Sequence, residues 1–279
     1  DEIASIYTGV SAEEVLSVVP EEGIFITMNT LLKKGDHCVC VCPGYQSLYE
    51  IARTVGCDVS FWRPVEKDGR CFFDPADLRA LLRPDTKLVV VNFPHNPTGA
   101  QPTVAEQREI VSAVAGVNAY LFSDEMYRGL EFGRDELGAP LASLPSAVEL
   151  YERAIVLCGV SKTLSLPGLR LGWLATHCAE LLPQLQSFKD YTTICGSAPS
   201  EILGLIGLRA REQILARNHV LLRRNCALLR EFFGRWPQHF SWCEPAAAST
   251  AFARLTCGGD GENGGATVAD YCARLLKER

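Results

Sequence analysis

Short apolar segments alternate along the chain with longer segments in which apolar residues recur at helical spacing. Short apolar runs bounded by turn-forming residues are typical of buried strands, and the longer segments predict helices. Strands that alternate with helices indicate a mostly parallel sheet covered on both faces, which is a three-layer α/β/α fold. The pattern predicts strands over residues 38–42, 58–62, 87–92, 119–123 and 154–158. It predicts helices over residues 21–32, 45–54, 180–189 and 200–233, the last of them either long or broken.

Two further helices are predicted from their first residues. Asp74 has the side chain of an N-cap, and its helix ends before Pro84. Thr103 is followed by Glu106 three positions later, which is the spacing of a capping box.

The character of the sequence changes after Trp236. Short strands are predicted near residues 240–243 and 251–255, followed by the Gly-rich segment Gly258–Gly265 and a last helix from Val268. We therefore divide the chain into a large α/β domain over residues 1–200, a long connecting helix over 201–236 and an incomplete α+β domain over 237–279.

The composition, with 47% hydrophobic and 22% charged residues, is that of a soluble globular protein. The net charge of −6 provides no basic surface for nucleic acid, and no apolar run approaches the ~18 residues that a membrane-spanning helix needs. Asp1 is not an initiator residue, so we expect the natural N-terminus to lie upstream. A cytoplasmic location is expected, and targeting to an organelle stays open.

Twelve cysteines are present, and their spacing indicates their role. Cys38, Cys40 and Cys42 alternate in one predicted strand, so all three are expected on one face as small hydrophobic residues. No Cys-x-x-Cys pair occurs, and the sequence therefore predicts no metal site. Reduced thiols in an intracellular compartment fit this pattern best.

Lys162 follows the apolar run Ala154–Cys158, so it is predicted to lie just past the carboxyl end of a buried strand. Open α/β sheets bind ligands at that end, and a partly desolvated Lys can attack a carbonyl to form a Schiff base. Arg170 precedes a second apolar run at the same end, where a guanidinium suits a phosphate monoester. The alternative is a solvated Lys and Arg in a surface loop.

Polar residues follow two more predicted strands. Asn96 lies in a loop stiffened by two prolines, so its amide is expected at a fixed angle toward a ligand, with an Asx-turn as the alternative. Asp124 ends another strand, where a carboxylate needs a positive partner such as a protonated heterocyclic nitrogen. For Asp124 and its neighbour Glu125, a helix cap is the alternative.

Two tyrosines complete the candidate site. Tyr127 follows Asp124 at a distance of three positions and is expected beside the same ligand. Tyr45 follows the strand over residues 38–42, where its ring either stacks on a flat cofactor or packs in the core.

Four motifs occur together in one order along the chain. They are Pro43-Gly-Tyr45, Asn96-Pro-Thr-Gly99, Ser123-Asp-Glu-Met-Tyr127, and Ser161-Lys162 with Gly168-Leu-Arg-Leu-Gly172. In this order the chain resembles, from near Ile3 to its end, the fold-type I pyridoxal-phosphate enzymes and specifically the class I/II aminotransferases.

The resemblance implies pyridoxal 5'-phosphate as the cofactor, bound by the large domain, with Lys162, Asp124 and Tyr127 as the catalytic residues. Lys162 is similar to the lysine that holds the cofactor as a Schiff base, and Asp124 to the carboxylate that keeps the pyridine nitrogen protonated. The other cofactor-binding residues that it implies are Asn96 and Tyr127 at the phenolic oxygen, Tyr45 on the ring, Arg170, Pro20 and Glu21 at the phosphate, and Ser161 beside Lys162.

Three features depart from the family's pattern. Pro20 lacks an N–H and Glu21 is anionic where the family's phosphate loop offers small or hydroxyl residues. Gly159 stands three positions before Lys162, where many relatives have a Ser. No counterpart of the family's arginine for the substrate carboxylate is found up to Arg279, so we expect it to lie outside this chain.

The resemblance implies transfer of an amino group between an α-amino acid and a 2-oxo acid, by a homodimer. A cyclase or lyase with the same cofactor is the enzymatic alternative, and a truncated non-catalytic remnant is the other. The sequence does not determine which amino acid is the substrate.

Overall fold

The computed structural model describes residues 1–67, 69–133, 143–256 and 267–278. Its strands are β1 (Val15–Val18), β2 (His37–Val41), β3 (Asp58–Trp62), β4 (Val65–Lys67), β5 (Arg70–Phe72), β6 (Thr86–Asn92), β7 (Tyr120–Asp124), β8 (Ala154–Gly159), β9 (Gly172–Ala175), β10 (Phe240–Trp242) and β11 (Ala253–Leu255). Its helices are α1 (Pro20–Leu31), α2 (Ser47–Val55), α3 (Pro75–Leu81), α4 (Val104–Gly116), α5 (Ala147–Leu150), α6 (Val160–Thr163), α7 (Leu182–Lys189), α8 (Ala198–Arg209), α9 (Arg211–Arg235) and α10 (Val268–Lys277).

Across the described ranges, the largest sheet has seven strands in the order β1-β9-β8-β7-β6-β2-β3. Strands β3, β2, β6, β7 and β8 are parallel to one another, whereas β9 is antiparallel to both β8 and β1. The carboxyl ends of the parallel strands therefore share one edge of the sheet, and β9 begins at that edge. The predicted mostly parallel sheet is confirmed.

Alternate residues of the central strands face two separate apolar cores. In β6, Val89 belongs to the first core and Leu88 to the second. Such near-continuous apolar strands are typical of a sheet buried on both faces, and the helices cover both faces as expected. Helices α3, α4 and α5 contribute Leu78, Ile110 and Val148 to the first core, and α1, α2 and α7 contribute Ile24, Leu48 and Leu185 to the second.

Most predicted strands and helices are present, with their ends shifted by a few residues. Both predicted caps are confirmed: Asp74 Oδ1 accepts from the backbone N of Ala76 at 2.8 Å. Thr103 Oγ1 accepts from the backbone N of Glu106 at 3.2 Å, while the Glu106 carboxylate accepts from the backbone N of Thr103 at 2.6 Å.

Some details differ from the predictions. Tyr45 precedes α2 instead of lying within it, whereas the segment over residues 200–233 takes the broken form of the predicted helix, as two helices that meet at Ala210. Cys38 and Cys40 lie in the second core, but β2 ends at Val41 and leaves Cys42 half-buried. Strand β1 and the hairpin of β4 with β5 were not predicted.

The C-terminal part contains an antiparallel pair, β10 with β11, and the predicted last helix, α10. The Gly-rich segment Gly258–Gly265 lies outside the described residues. No described helix is both long and apolar enough to cross a membrane. The described ranges also contain no group of three or more His, Cys, Asp or Glu side chains able to hold a metal ion.

Candidate active site

Several strands bring polar residues to one edge of the sheet. The register pairs Asn92, the last residue of β6, with Asp124, the last residue of β7. Strand β8 lies beside β7 and ends at Gly159, which pairs with Gly172, the first residue of β9. Helix α6, which directly follows β8, and the loop before β9 therefore lie at the same edge as Asp124. The helix carries Lys162 and the loop carries Arg170.

Asp124 is a buried carboxyl group, only 5% exposed, and its Oδ1 accepts from the backbone N of Met126 at 3.0 Å. Burial raises the pKa of Asp124 to about 7, and the negative charges of Glu125 and Glu21 add to this rise. The Met126 hydrogen bond and the nearby positive charge of Lys162 act in the opposite direction. A second cation at Asp124 would favour its ionised form.

Lys162 lies in the short helix α6 with its side chain exposed at the sheet edge, whereas its neighbours Ser161 and Thr163 are buried. Thr163 Oγ1 donates to the backbone oxygens of Met126 at 3.1 Å and Arg128 at 2.9 Å, which fixes α6 to the segment after β7. Ser161 Oγ is buried and has no hydrogen-bond partner among the described residues.

Asn96 is half-buried, and its loop is tied to Asp124 through another amide, that of Asn92. Asn92 Nδ2 donates to the backbone oxygen of Asp124 at 2.9 Å, and Asn92 Oδ1 accepts from the backbone N of Asn96 at 2.8 Å. The loop is closed by a bond from the backbone N of Gly99 to the oxygen of His95 at 2.8 Å. This arrangement gives the loop the rigid anchoring that its two prolines predict.

Tyr127 is buried beside Asp124. Burial raises the pKa of its phenol, the negative charge of Asp124 adds to the rise, and a hydrogen bond with Ser249 opposes it. Tyr45 also acts electrostatically on Tyr127, so the two predicted tyrosines lie near one another. Ser249 lies between β10 and β11, so the chain after α9 returns to this site.

Tyr45 is 46% exposed, and its surroundings include two other predicted residues. Burial and a hydrogen bond to Glu21 raise the pKa of its phenol, whereas the positive charge of Arg170 lowers it. Ser47 Oγ also donates to the Glu21 carboxylate. The exposed Arg170 has a left-handed backbone with a φ of 51°, and its Nη1 donates to the backbone oxygen of Pro167 at 3.0 Å.

The N-terminus of α1 lies against the start of β9. Pro20 is the first residue of this twelve-residue helix, and a Cβ placed on Gly172 would lie 2.8 Å from Pro20 Cγ. The missing N–H of Pro20 costs little here, because the first amides of a helix have no intrahelical partner. The amides of Glu21 and Glu22, together with the helix dipole, provide a favourable environment for an anion.

Glu125 serves a different purpose from Asp124. It is buried, and it accepts from the backbone N of Ala147 at 2.8 Å and from Ser146 Oγ at 2.9 Å, at the start of α5. Its carboxylate also lies 3.5 Å from the guanidinium of Arg128. Glu125 therefore binds the first turn of α5 from outside that helix, whose N-cap residue is Ser146.

These features fit pyridoxal phosphate. The buried Asp124 suits a protonated ring nitrogen, and the unpaired Ser161 Oγ provides a hydrogen-bonding group next to Lys162. Arg170 and the N-terminus of α1 suit a phosphate. The Glu21 charge opposes a phosphate, but its carboxylate is already bound by Tyr45 and Ser47.

Two residues of the site were not predicted. Asn92 was taken only as the end of a strand, although Asn at the start of a Pro-rich loop is a signal for a side chain that bonds its own backbone. Ser249 lies in a segment in which no site residue could be assigned from the sequence, and its contact with Tyr127 depends on how the distant parts of the chain fold together.

Comparison with known proteins gives one family and several similar chains. The family model described as "Aminotransferase class I and II" matches residues 12–231. A crystal structure of a PLP-dependent aminotransferase from Streptococcus suis has a TM-score of 0.86 and 32% identity, covering 99% of this chain and 69% of that chain. The crystal structure of the PLP-dependent cyclase OrfR has the same TM-score with 29% identity, covering 99% and 70%.

A curated relative gives a similar result. Capreomycidine synthase from Streptomyces vinaceus is 29% identical over 255 residues, which is 91% of this chain. The chain spans 61% of the length of that relative.

Proposed function

The chain belongs to the aminotransferase class I and II family, and we propose that it binds pyridoxal 5'-phosphate and moves an amino group between an α-amino acid and a 2-oxo acid. The observation that carries this proposal is a buried carboxyl, Asp124, with Lys162 near it at the carboxyl edge of the sheet. When bound, the cofactor supplies a heterocycle that accepts electrons from the substrate α-carbon.

Each residue at the sheet edge has a task in this proposal. Asp124 holds the proton of the ring nitrogen, and Asn92 and the backbone N of Met126 fix the position of Asp124. Lys162 Nζ is the point of covalent attachment, and it moves the proton at the substrate α-carbon. The two hydrogen bonds of Thr163 hold α6, and with it Lys162, against the segment after β7.

The remaining predicted residues orient the cofactor. The Tyr127 hydroxyl and the Asn96 amide would hold its phenolic oxygen, and the Tyr45 ring would stack on the cofactor ring. Arg170 would hold the phosphate, together with the N-terminus of α1.

The test is the visible absorption spectrum of the chain with added pyridoxal phosphate. The parent protein is expected to acquire a band that resists dialysis, and reduction with borohydride should fix the cofactor on Lys162, as identified by peptide mass spectrometry. Lys162→Ala should lose the band, and Lys67→Ala, a change of an exposed lysine in β4, should keep it. The absence of a band from the parent would support the non-catalytic alternative.

A cyclase reaction is a second candidate, because one of the similar solved structures is that of the PLP-dependent cyclase OrfR, with 29% identity. Lys162 and Asp124 would keep the same tasks, since removal of the α-proton can begin either reaction.

Product analysis separates the two reactions. In a single turnover without an added 2-oxo acid, an aminotransferase releases one 2-oxo acid for each active site. A cyclase instead converts the amino acid into a ring that keeps its nitrogen, and it continues over many turnovers. Mass spectrometry of the products from a panel of amino acids therefore identifies the reaction.

A further inference from the structure

We infer that Glu22 is a positioning residue for the phosphate end of this site, because it holds the loop over residues 190–197 against the first turn of α1. The inference rests on the proposed function, since it concerns how the chain binds the phosphate of that cofactor. Glu22 does not itself touch the cofactor in this proposal; it acts through the backbone of α1.

The carboxylate of Glu22 accepts hydrogen bonds from both sides of the helix terminus. The backbone N of Thr193 donates to Oε1 at 3.1 Å, and Thr193 Oγ1 lies 2.8 Å from Oε1 and 3.0 Å from Oε2. Thr192 Oγ1 donates to Oε1 as well. On the helix side, the backbone N of Val19 donates to Oε2 at 3.3 Å. One side chain therefore joins the N-cap of α1 to a loop that is distant in sequence.

The position of this loop depends on polar contacts. Its side chains are largely exposed, with Tyr191 exposed to 90%, so apolar burial contributes little to its placement. A second anchor is Lys189, a buried residue at the end of α7. Its Nζ donates to the backbone oxygen of Ile194, and its own backbone oxygen accepts from the backbone N of Thr192 at 2.9 Å and of Ile194 at 3.1 Å. Ile194 has a left-handed backbone with a φ of 61°. Because the Lys189 bonds tie the loop to α7 and the Glu22 bonds tie it to α1, the loss of the Glu22 contacts should release the loop from α1.

The same hydrogen bonds explain how the acidic residue Glu22 can lie beside a phosphate site. Burial alone would raise the pKa of Glu22, but the hydrogen bonds from Thr192 and Thr193 lower it, so the group is ionised. The donors hold this charge on the loop side of α1, and the neighbouring Glu21 is bound by Ser47 of α2. The first turn is thus held from two sides, and its amides stay available for the phosphate.

The test compares the affinities for pyridoxal phosphate and for pyridoxal, which lacks the phosphate. Thr193→Val removes the hydroxyl but leaves the charge of Glu22, and it should reduce the preference for the phosphorylated form by about tenfold, as expected for a lost charge-assisted hydrogen bond. Thr193→Ser keeps the hydroxyl and should restore the preference. Glu50→Gln is the matched control, because Glu50 lines one cleft together with Glu22 and Thr193 but pairs with Arg53.

A double-mutant cycle assigns the effect to Glu22. In a Glu22→Ala background, Thr193→Val should change the preference little, because the bond that it breaks is already absent. Hydrogen exchange over residues 190–197 should rise in Thr193→Val, while exchange in β7 and β8 should stay unchanged.

The outcomes separate this inference from the proposed function. An equal loss of affinity for both compounds, or no loss for either, would overturn the role of Glu22 while leaving the cofactor assignment intact. The failure of the parent protein to bind pyridoxal phosphate at Lys162 would overturn the proposed function, and this inference with it.

Discussion

Asp124 couples the stability of the protein to pH, because burial raises the pKa of this carboxyl to about 7. An acid whose folded-state pKa lies above its unfolded value binds protons more tightly in the folded state. Its contribution to the free energy of unfolding is therefore fully present below pH ~4 and is lost as the pH rises through about 7. Without cofactor, Asp124→Asn should raise the free energy of unfolding at pH 8 by up to roughly 4 kcal/mol.

Urea unfolding of the parent and Asp124→Asn from pH 4 to pH 8 measures this effect. The difference between them should be small at pH 4 and grow with pH. With pyridoxal phosphate present, the parent is expected to be the more stable of the two proteins, because the variant lacks the negative charge that holds the ring nitrogen. A constant difference across the pH range would contradict the raised pKa.

The site residues differ in how far the sequence reveals them. Lys162 and Asp124 follow apolar runs that mark buried strands, so their place at the sheet edge could be predicted. The contact of Tyr127 with Ser249 could not, because it joins segments that meet only in the folded chain. The same is true of Glu22, whose partners Thr192 and Thr193 lie far along the chain. The assigned chemical roles of these residues stay predictions until the cofactor is tested.

At the level of secondary structure, Gly99 connects the loop after β6 with the segment that leads to Ser249. Its backbone oxygen accepts from the backbone N of Ala246 at 3.0 Å and of Ala247 at 3.1 Å. Its φ is +69°, and a Cβ there would lie 2.3 Å from Pro245 Cβ and 2.8 Å from the oxygen of Ala247. Gly99→Ala should therefore lower the free energy of unfolding by at least ~2 kcal/mol, because strain and overlap add.

A second glycine separates these two causes. Gly69 has a similar φ of +76°, but a Cβ there would meet no atom within 4 Å. Gly69→Ala should therefore show the backbone strain alone, about 1 kcal/mol. Chemical unfolding of both variants is the measurement, and equal losses would show that the overlap at Gly99 is relieved by movement of the 245–247 segment.

The fold was predictable where each element has a local signal. The helices at Asp74 and Thr103 were marked by their capping residues, and α2 by Gly56, which ends it in a left-handed conformation. Strand β1 lacks such a signal: it is four residues long, and its partner β9 lies far along the chain. The break between α8 and α9 at Ala210 likewise has no Gly or Pro to mark it.

For the whole molecule, the resemblance predicts a homodimer, and α8 offers an apolar surface for one. Ile202, Leu203 and Ile206 of this helix are each exposed to more than half of their area. Exposed apolar side chains that recur on one helix are typical of a protein–protein contact. We therefore expect light scattering of the purified chain to give the mass of two chains, and Ile202→Lys with Ile206→Lys to give the mass of one.

The matched control is Leu276→Lys, a change of a highly exposed apolar residue on α10 that should leave the mass of the assembly unchanged. The segment over residues 190–197 continues directly into α8, and it also binds Glu22 beside the proposed phosphate site. Separation of the two chains should therefore loosen this loop. The monomeric variant should then show a weaker preference for pyridoxal phosphate over pyridoxal. A double variant of Ile202 and Ile206 that is monomeric but keeps the full preference would show that α1 and its loop hold their positions without a second chain.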